Sequence, residues 1–327
     1  MKATPLLTGW TCRHLGDTAP GRPVTLPHDA MLAEPRTALS AGGVNTGWYE
    51  GYDYEYQRTL TVPENELSDT HILEFEGVYH NAEVWLNGQK AAFHPYGYTN
   101  FYVDCAPFLR AGDNELRVIA RNADQPNSRW YSGAGLYRPV QLWTAGDKHI
   151  LLNGVRIRTV SLEPAVVEIR VRTSAPGTVQ LMLEGLPTVR KESDGEAVFT
   201  LTIDNASLWT PETPNLYRCR VQFADDEAVE TFGVRTVSWG KNGFTLNGER
   251  VIIQGACIHH DNGLLGAVCD LDAVARKVRL LKETGYNAIR SAHNPCSKAL
   301  LAECDRQGVL VMDEYIDHWY IHKTEYD

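Results

Sequence analysis

The sequence has no excess of basic residues, no Cys-x-x-Cys pair and no long apolar run. Its 41 acidic residues outnumber 31 basic ones and give a formal net charge of −10. A nucleic-acid partner is therefore not expected, because its phosphates need a basic surface. The seven cysteines are odd in number and scattered, which argues against a disulfide framework and against a structural zinc site. A membrane partner is not expected either, since no stretch reaches the length of a membrane span.

The first residues, Met1 to Trp10, contain no apolar run of the length that a signal peptide requires. Together with the scattered cysteines, this predicts a cytoplasmic protein. A chain of 327 residues is too long for one typical core and predicts two or three domains. Its contents of 43% hydrophobic and 22% charged residues are those of an ordinary globular protein.

Residues 1–145 show short alternating segments separated by turn signals, which predicts a jelly-roll β-sandwich. Thr70–Phe75 alternates, and Ala82–Leu86 runs into Asn87-Gly88, the strongest two-residue hairpin signal. Residues 146–236 continue in the same way, with roughly seven strands in a segment of immunoglobulin size. They predict a second, immunoglobulin-like β-sandwich.

Residues 237–327 change to an order of strand, helix, strand, helix, strand. The strands are expected at Val251–Gly255, Asn287–Arg290 and Val309–Met312, and the helices at Asp272–Thr284 and Ser297–Gln307. This order requires parallel strands with helical crossovers. A closed (β/α)8 barrel needs eight such units, so this segment predicts an incomplete barrel.

Polar residues follow each predicted barrel strand, at the edge where such barrels keep their active sites. They are His259, His260 and Asp261 after the first strand, His293 and Asn294 after the second, and Asp313 and Glu314 after the third. Because successive residues of a strand point to opposite faces, only one of His259 and His260 is expected to point into the site. Arg290 is a further candidate, although it could instead brace the barrel interior through a buried ion pair.

Several segments, in chain order, resemble glycoside hydrolase family 2. They are Leu26–Asp29, Glu74–Gly88 and Arg129–Val140 for its sugar-binding jelly roll, Leu208–Tyr217 and Phe232–Arg235 for its immunoglobulin-like domain, and Phe244–Asp261, Ile289–Pro295 and Val311–Glu314 for its opening barrel strands. Within the family, Gly255–Asp261 and Arg129–Arg138 look most like β-galactosidase-type members. The resemblance implies part of a retaining exo-β-glycosidase that hydrolyses terminal β-D-galactosides in carbohydrate catabolism.

The resemblance implies that both catalytic glutamates follow later barrel strands, beyond Asp327. Retaining hydrolysis needs two carboxyl groups about 5 Å apart. Asp313 and Glu314 are neighbours on a strand and cannot form that pair by themselves. We therefore expect no catalytic residue in this sequence and no hydrolase activity from the chain itself. The polar residues after the three strands are expected to line the sugar subsite, where a neutral imidazole can both donate to and accept from sugar hydroxyls.

Members of the family also reach a jelly-roll loop into the active site, where an acidic residue contacts the sugar. This sequence has Asn127, Arg129 and Trp130 at that place, which departs from the best-studied β-galactosidase pattern, and these three are candidates for substrate contact. Arg138 is expected to anchor the loop through a buried bidentate ion pair.

Glu314 matches a family glutamate that holds a divalent cation in some members, and His318 is its candidate partner. A carboxylate that orients its neighbours is an equal alternative for Glu314. No cofactor is expected to be required, but Mg²⁺ or Na⁺ could bind in a full-length enzyme. That enzyme could also be a homo-oligomer.

Three other functions remain open at this point. A β-glucuronidase is the nearest alternative within the family. A non-catalytic carbohydrate-binding or scaffold fragment is the second. A metal-dependent barrel hydrolase is the third, prompted by His259, His260, His293, Asp313 and His318. The adjacent histidines argue against it, because such sites usually begin with His-x-His, which puts both imidazoles on one face.

Overall fold

The computed structural model describes residues 1–316 and residue 326, and it begins with a jelly roll of two antiparallel sheets. Its strands are β1 (Lys2–Pro5), β2 (Trp10–His14), β3 (Arg22–Val24), β4 (Tyr54–Val62), β5 (Thr70–Phe75), β6 (Ala82–Leu86), β7 (Gln89–His94), β8 (Phe101–Asp104), β9 (Gly112–Ala120) and β10 (Val140–Ala145). One sheet has the order β1-β10-β5-β8 and the other β3-β2-β4-β9-β6-β7. The core between them includes Trp10, Tyr56 and Phe75, all at most 1% exposed.

The second sandwich contains β11 (Ile150–Leu162), β12 (Ala165–Thr173), β13 (Gly177–Leu183), β14 (Val189–Ser193), β15 (Glu196–Ile203), β16 (Tyr217–Phe223) and β17 (Asp226–Phe232). Its two sheets have the orders β11-β12-β15 and β14-β13-β16-β17. Alternation explains the packing, since Val167, Ile169 and Val171 of β12 are buried while the residues between them are half-buried. They share a core with Leu181 and Val221 of the facing sheet.

A small antiparallel sheet of β18 (Val237–Gly240), β19 (Gly243–Leu246) and β20 (Glu249–Arg250) leads into the parallel segment. There β21 (Gly255–Ile258), β22 (Ala288–Ser291) and β23 (Leu310–Asp313) form a three-stranded parallel sheet in that order. Helix α1 (Leu271–Glu283) connects the first pair of strands and α2 (Lys298–Gln307) the second. The predicted class, two β-sandwiches followed by part of a (β/α)8 barrel, is confirmed.

Both helices begin and end within one residue of the predicted bounds. The Asp270 side chain accepts a hydrogen bond from the Ala273 N–H at 2.8 Å, and Ser297 accepts one from Leu300 at 3.2 Å. Val274 and Val278 bury one face of α1. Gly308 ends α2 with φ of 75°, a conformation that favours glycine.

The first parallel strand was predicted four residues too early. The apolar run Val251–Ile253 suggested a strand, but Ile252 is 71% exposed and the parallel ladder begins at Gly255, opposite Ala288. Asn287 explains the offset, because its side-chain oxygen accepts a hydrogen bond from the Gln254 N–H at 2.8 Å and its own N–H donates to the Gln254 carbonyl. The hydrogen bonds of Asn287 therefore fix the register. No helix among the described residues is long and apolar enough to cross a bilayer.

The barrel segment packs on the jelly roll through the buried carboxylate of Asp29. This side chain accepts hydrogen bonds from the N–H groups of Met31 (3.1 Å), Ala134 (3.0 Å) and Ala267 (2.9 Å) and from the Tyr131 hydroxyl (2.7 Å). The contact to Ala267 comes from the loop after β21. Asp29 therefore joins three loops of the jelly roll and barrel segment at one point.

A second connection is made by Lys298 at the start of α2. Its ammonium forms an ion pair with Glu74, and its backbone N–H donates to the Glu76 side chain at 2.8 Å. The second sandwich also contacts the barrel segment, because the Trp209 indole N–H donates to the Asp305 carbonyl at 2.8 Å. The barrel segment is thus held by contacts with the jelly roll and with the second sandwich.

We predict that Asp29→Ala lowers the free energy of unfolding by about 3 kcal/mol, because four buried donors lose their acceptor. Urea denaturation followed by tryptophan fluorescence measures the change. The control is Asp17→Ala on the exposed surface, for which we expect a change within about 0.5 kcal/mol. Equal effects of the two substitutions would contradict the role given to Asp29.

Candidate functional site

The parallel register brings the ends of the three barrel strands to one edge of the sheet. Ile258 lies opposite Ser291, and Ser291 opposite Asp313, so the residues that follow each strand lie side by side. His259, His293 and Glu314 meet there. This is the edge at which an α/β barrel presents its functional groups.

Glu314 is the centre of a charged cluster at this edge. Its carboxylate is hydrogen-bonded by Arg290 Nε at 2.6 Å and by His293 Nδ1 at 2.8 Å. Partial desolvation raises the pKa of Glu314, but the hydrogen bonds from Arg290 and His293 outweigh it and lower the pKa overall. Arg290 thus pairs with Glu314 as a brace, although its side chain is 41% exposed and the pair is not buried.

The aromatic side of the site is Trp130, which reaches over from the jelly roll. Its ring stacks on His259 with centroids 5.3 Å apart and an interplanar angle of 26°, and it lies 5.5 Å from the ring of His293. The two imidazoles are edge-to-face at 5.9 Å. Burial lowers the pKa of His259, and the nearby His293 lowers it further, which favours the neutral ring.

The loop that carries Trp130 is fixed by contacts with the rest of the jelly roll and with the barrel segment. The indole N–H donates to the Tyr98 hydroxyl at 3.1 Å, and the Arg129 guanidinium lies 5.3 Å from the Trp130 ring centre. Arg138, which is buried, donates to the carbonyls of Tyr98 and Pro295, both at 2.9 Å. The expected anchoring role of Arg138 therefore rests on backbone carbonyls. The ion pair expected for it is not found among the described residues.

His260 points away from the cluster, as the alternation of strand faces predicted for one of the two histidines. Its Nε2 donates to the Ser132 carbonyl at 3.0 Å, and its ring packs against Tyr98 and Tyr137. Burial lowers the pKa of His260 to about 4, so the ring is neutral. His260 thus joins the barrel segment to the Trp130 loop, whereas His259 faces the site.

Three other predicted residues lie beside the cluster and make hydrogen bonds within or next to the strand-end turns. Asp313 accepts a hydrogen bond from the Cys296 N–H at 3.0 Å and shapes the turn after β22. Asn294 is buried, and its carbonyl accepts a hydrogen bond from the Ser291 hydroxyl. Asp261 uses its carbonyl to accept a hydrogen bond from Lys277 at 2.6 Å. These positions support the strand-end turns.

Asn127 was a candidate for substrate contact, but its side chain makes hydrogen bonds within the jelly roll instead. Its amide N donates to the Asn122 side chain and the Asp124 carbonyl, and its side-chain oxygen accepts from the Tyr79 hydroxyl. The residue is 7% exposed. Its side chain therefore holds the loop, whereas Trp130 contacts His259 and His293 at the barrel edge.

The described residues do not fit a divalent cation. Such an ion needs several free oxygen ligands, but both oxygens of Glu314 are engaged by Arg290 and His293. No group of three or more histidine, cysteine or acidic side chains that could hold a metal occurs among residues 1–316 and 326. His318, the other predicted ligand, lies outside the described residues.

Sequence reasoning missed two supporting residues, Tyr98 and Lys277. Tyr98 holds both Trp130 and Arg138 from a distant jelly-roll loop. Lys277 donates from α1 to the carbonyls of His259 (3.2 Å) and Asp261. For Lys277 the sequence offered one signal, a lysine placed one position before Val278, near the buried face of the helix.

Comparisons with known families agree with this architecture. The profile described as "Glycosyl hydrolase 2 galactose-binding domain-like" matches residues 24–159, "Glycosyl hydrolases family 2" matches 154–235, and "Glycosyl hydrolases family 2, TIM barrel domain" matches 237–318. The three matches follow one another along nearly the whole chain.

Individual relatives are longer than this chain. It is 37% identical to the β-galactosidase BoGH2A of Bacteroides ovatus, over 96% of the chain and 41% of that protein. A putative β-glucuronidase of Formosa agariphila is 33% identical, over 91% of the chain and 30% of that protein. The solved structure of a family 2 member from Bacteroides cellulosilyticus superposes with a TM-score of 0.89 at 31% identity, over 100% of this chain and 47% of that one. The chain thus spans less than half the length of these relatives.

We predict that stability falls as the pH is lowered from about 6.5 to about 4. Burial lowers the pKa of His28, His80 and His260 to about 4. In this window these three histidines bind more protons in the unfolded chain than in the folded one, so their contribution to the free energy of unfolding rises with pH and is lost on acidification. Urea denaturation across the window tests this. His260→Gln, which keeps a donor for Ser132, should flatten the slope, and an unchanged slope would contradict the prediction for His260.

Proposed function

Because the chain belongs to glycoside hydrolase family 2, we propose that it supplies the sugar-recognition half of a retaining exo-β-glycosidase site. The substrate we propose is a terminal β-D-galactoside, taken up in carbohydrate catabolism. The observation that supports this most directly is the placing of Trp130 over His259 and His293 at the strand ends. Two domains thereby form one aromatic and polar surface.

This surface has the chemistry that a sugar ring requires. An aromatic face packs on the C–H groups of a pyranose, and polar side chains fix its hydroxyl groups. Burial lowers the pKa of His259, which favours the neutral ring, and a neutral imidazole can serve as donor or acceptor. Arg290 and Glu314 hold His293 in a fixed orientation beside it. Preorganised side chains of this kind raise affinity because little freedom is lost on binding.

The charge of the surface favours a neutral sugar over a uronic acid. A glucuronide carries a carboxylate, for which an arginine or lysine is the natural partner. Arg290 is already paired with Glu314, and the Arg129 guanidinium lies against the Trp130 ring. A β-glucuronidase stays the second candidate, because several relatives carry that name and further residues of a complete barrel could bind the carboxylate.

We propose that the bond-breaking carboxylates come from outside the described residues. Retaining hydrolysis needs two carboxyl groups about 5 Å apart, one of them free to act as nucleophile. At this edge Glu314 is held by Arg290 and His293, and Asp313 accepts from the Cys296 N–H. Neither is available for that pair. The chain alone would then act as a carbohydrate-binding fragment.

The decisive experiment is a panel of nitrophenyl glycosides, tested on a protein with a complete barrel and on the 327-residue chain. We expect the β-galactoside to be hydrolysed by the complete protein at least about tenfold faster than the β-glucuronide, a difference of about 1.4 kcal/mol. The chain alone should show no turnover. Preference for the glucuronide would overturn the sugar assignment, and turnover by the chain alone would overturn the proposed source of the carboxylates.

A second prediction concerns Trp130. In the complete protein, Trp130→Ala should lower kcat/KM for the preferred glycoside by about 10- to 100-fold, since burial of a large apolar face on binding contributes about 1.5–3 kcal/mol. Trp85→Ala, on the jelly-roll strand β6, is the matched control and should leave kcat/KM within about twofold. Equal losses in both variants would show that Trp130 acts only through folding.

A further inference from the structure

A small cavity is lined by both adjacent histidines. Its volume is about 20 Å³, and its lining includes His259, His260, Asn262 and Lys277. A cavity that holds one water molecule needs roughly 10–15 Å³ or more on the same measure, together with two to four polar partners. The size of this cavity thus matches one water molecule.

Three buried polar atoms of the lining residues have no hydrogen-bond partner among the described residues. They are His259 Nδ1, His260 Nδ1 and Asn262 Oδ1. Buried polar atoms are nearly always satisfied in folded proteins, by protein groups or by ordered water. The presence of such atoms on residues that line one cavity, above all His260 Nδ1 and Asn262 Oδ1, points to a ligand within it.

The chemistry of each atom can be assigned from its neighbours. His260 Nε2 faces the Ser132 carbonyl, which can only accept, so Nε2 carries the proton and Nδ1 of the neutral ring is an acceptor. The Asn262 amide N donates to the Val268 carbonyl at 2.8 Å, which identifies Oδ1 as the other acceptor. Two acceptors therefore belong to residues that line the cavity.

Lys277 supplies a donor. Its ammonium has three N–H bonds, and two of them are directed to the carbonyls of His259 and Asp261. The third can enter the cavity, which Lys277 also lines. A water molecule can donate to both acceptors while accepting from Lys277. An anion would face the two acceptors, and a metal cation would face the ammonium, so neither fits.

We infer that this cavity binds one water molecule, held by Lys277, His260 Nδ1 and Asn262 Oδ1. The water keeps the proton of His260 on Nε2, where it holds the Ser132 carbonyl. Ser132 lies two residues from Trp130, so the bound water supports the position of the loop that covers the site. Lys277 is thus a positioning residue, and this inference does not depend on which sugar is bound.

A high-resolution crystal structure of the full chain tests the site directly. We expect one peak in the cavity within about 2.7–3.2 Å of His260 Nδ1, Asn262 Oδ1 and Lys277 Nζ. Nitrogen-15 NMR of labelled histidine should show His260 protonated at Nε2 and unprotonated, hydrogen-bonded at Nδ1. A cavity without density, or a proton on Nδ1, would overturn the inference.

Two lysine variants test how the water is held. Lys277→Met should remove the water peak and shift the Nδ1 resonance of His260. Lys282→Met is the matched control, because this lysine of the same helix also donates to backbone carbonyls, including that of Gly308 at 3.3 Å, and does not line the cavity. It should leave both signals unchanged. A retained peak in Lys277→Met would overturn the role of Lys277, and the wild-type measurements decide the water site even if that variant fails to fold.

Discussion

The contact between the jelly roll and the first barrel strands depends on the carboxylate of Asp29. Four donors from two domains converge on it, and the backbone must come very close to allow this. At Gly266 a Cβ would lie 2.4 Å from the Asp29 carboxylate, and at Gly133 one would lie 2.5 Å from Ala267. Both glycines also have positive φ. The close approach to this one buried acceptor therefore requires glycine at positions 133 and 266. It also places the loop that carries Trp130 beside the loop that carries His259.

The adjacent histidines show how one strand end can serve two domains. Because side chains alternate, His259 faces Trp130 and His293 at the site. His260 points into the buried contact with the jelly roll, where it donates to Ser132. The candidate binding surface and the domain contact are thus coupled, because one peptide unit joins His259 to His260. A change that moves the jelly-roll loop also acts on the site, since Trp130 stacks on His259 and Arg138 donates to the Pro295 carbonyl.

The order of elements and the edge that carries the site could be predicted from the sequence, because periodicity and the parallel arrangement determine both. The register could not, since it depends on the side chain of Asn287, and the apolar run before Gly255 misled the prediction. The hydrogen-bond partners of individual side chains could not be predicted from the sequence either. Asn127 and Arg138 were correctly placed in the Trp130 loop, but only the fold reveals that Asn127 is saturated within the jelly roll and that Arg138 binds carbonyls.

Charged groups at the domain contact have a consequence for acid stability. Burial raises the pKa of Glu74, but the hydrogen bond and charge of Lys298 lower it overall. A carboxyl group with a lowered pKa stabilises the fold above its usual pKa of 4.5, and this contribution is lost as the pH falls through the folded value. The buried histidines lose their contribution in the window just above. Acidification therefore lowers stability first through the buried histidines, His260 among them, and at lower pH through the carboxylate of Glu74, which ties α2 to the jelly roll.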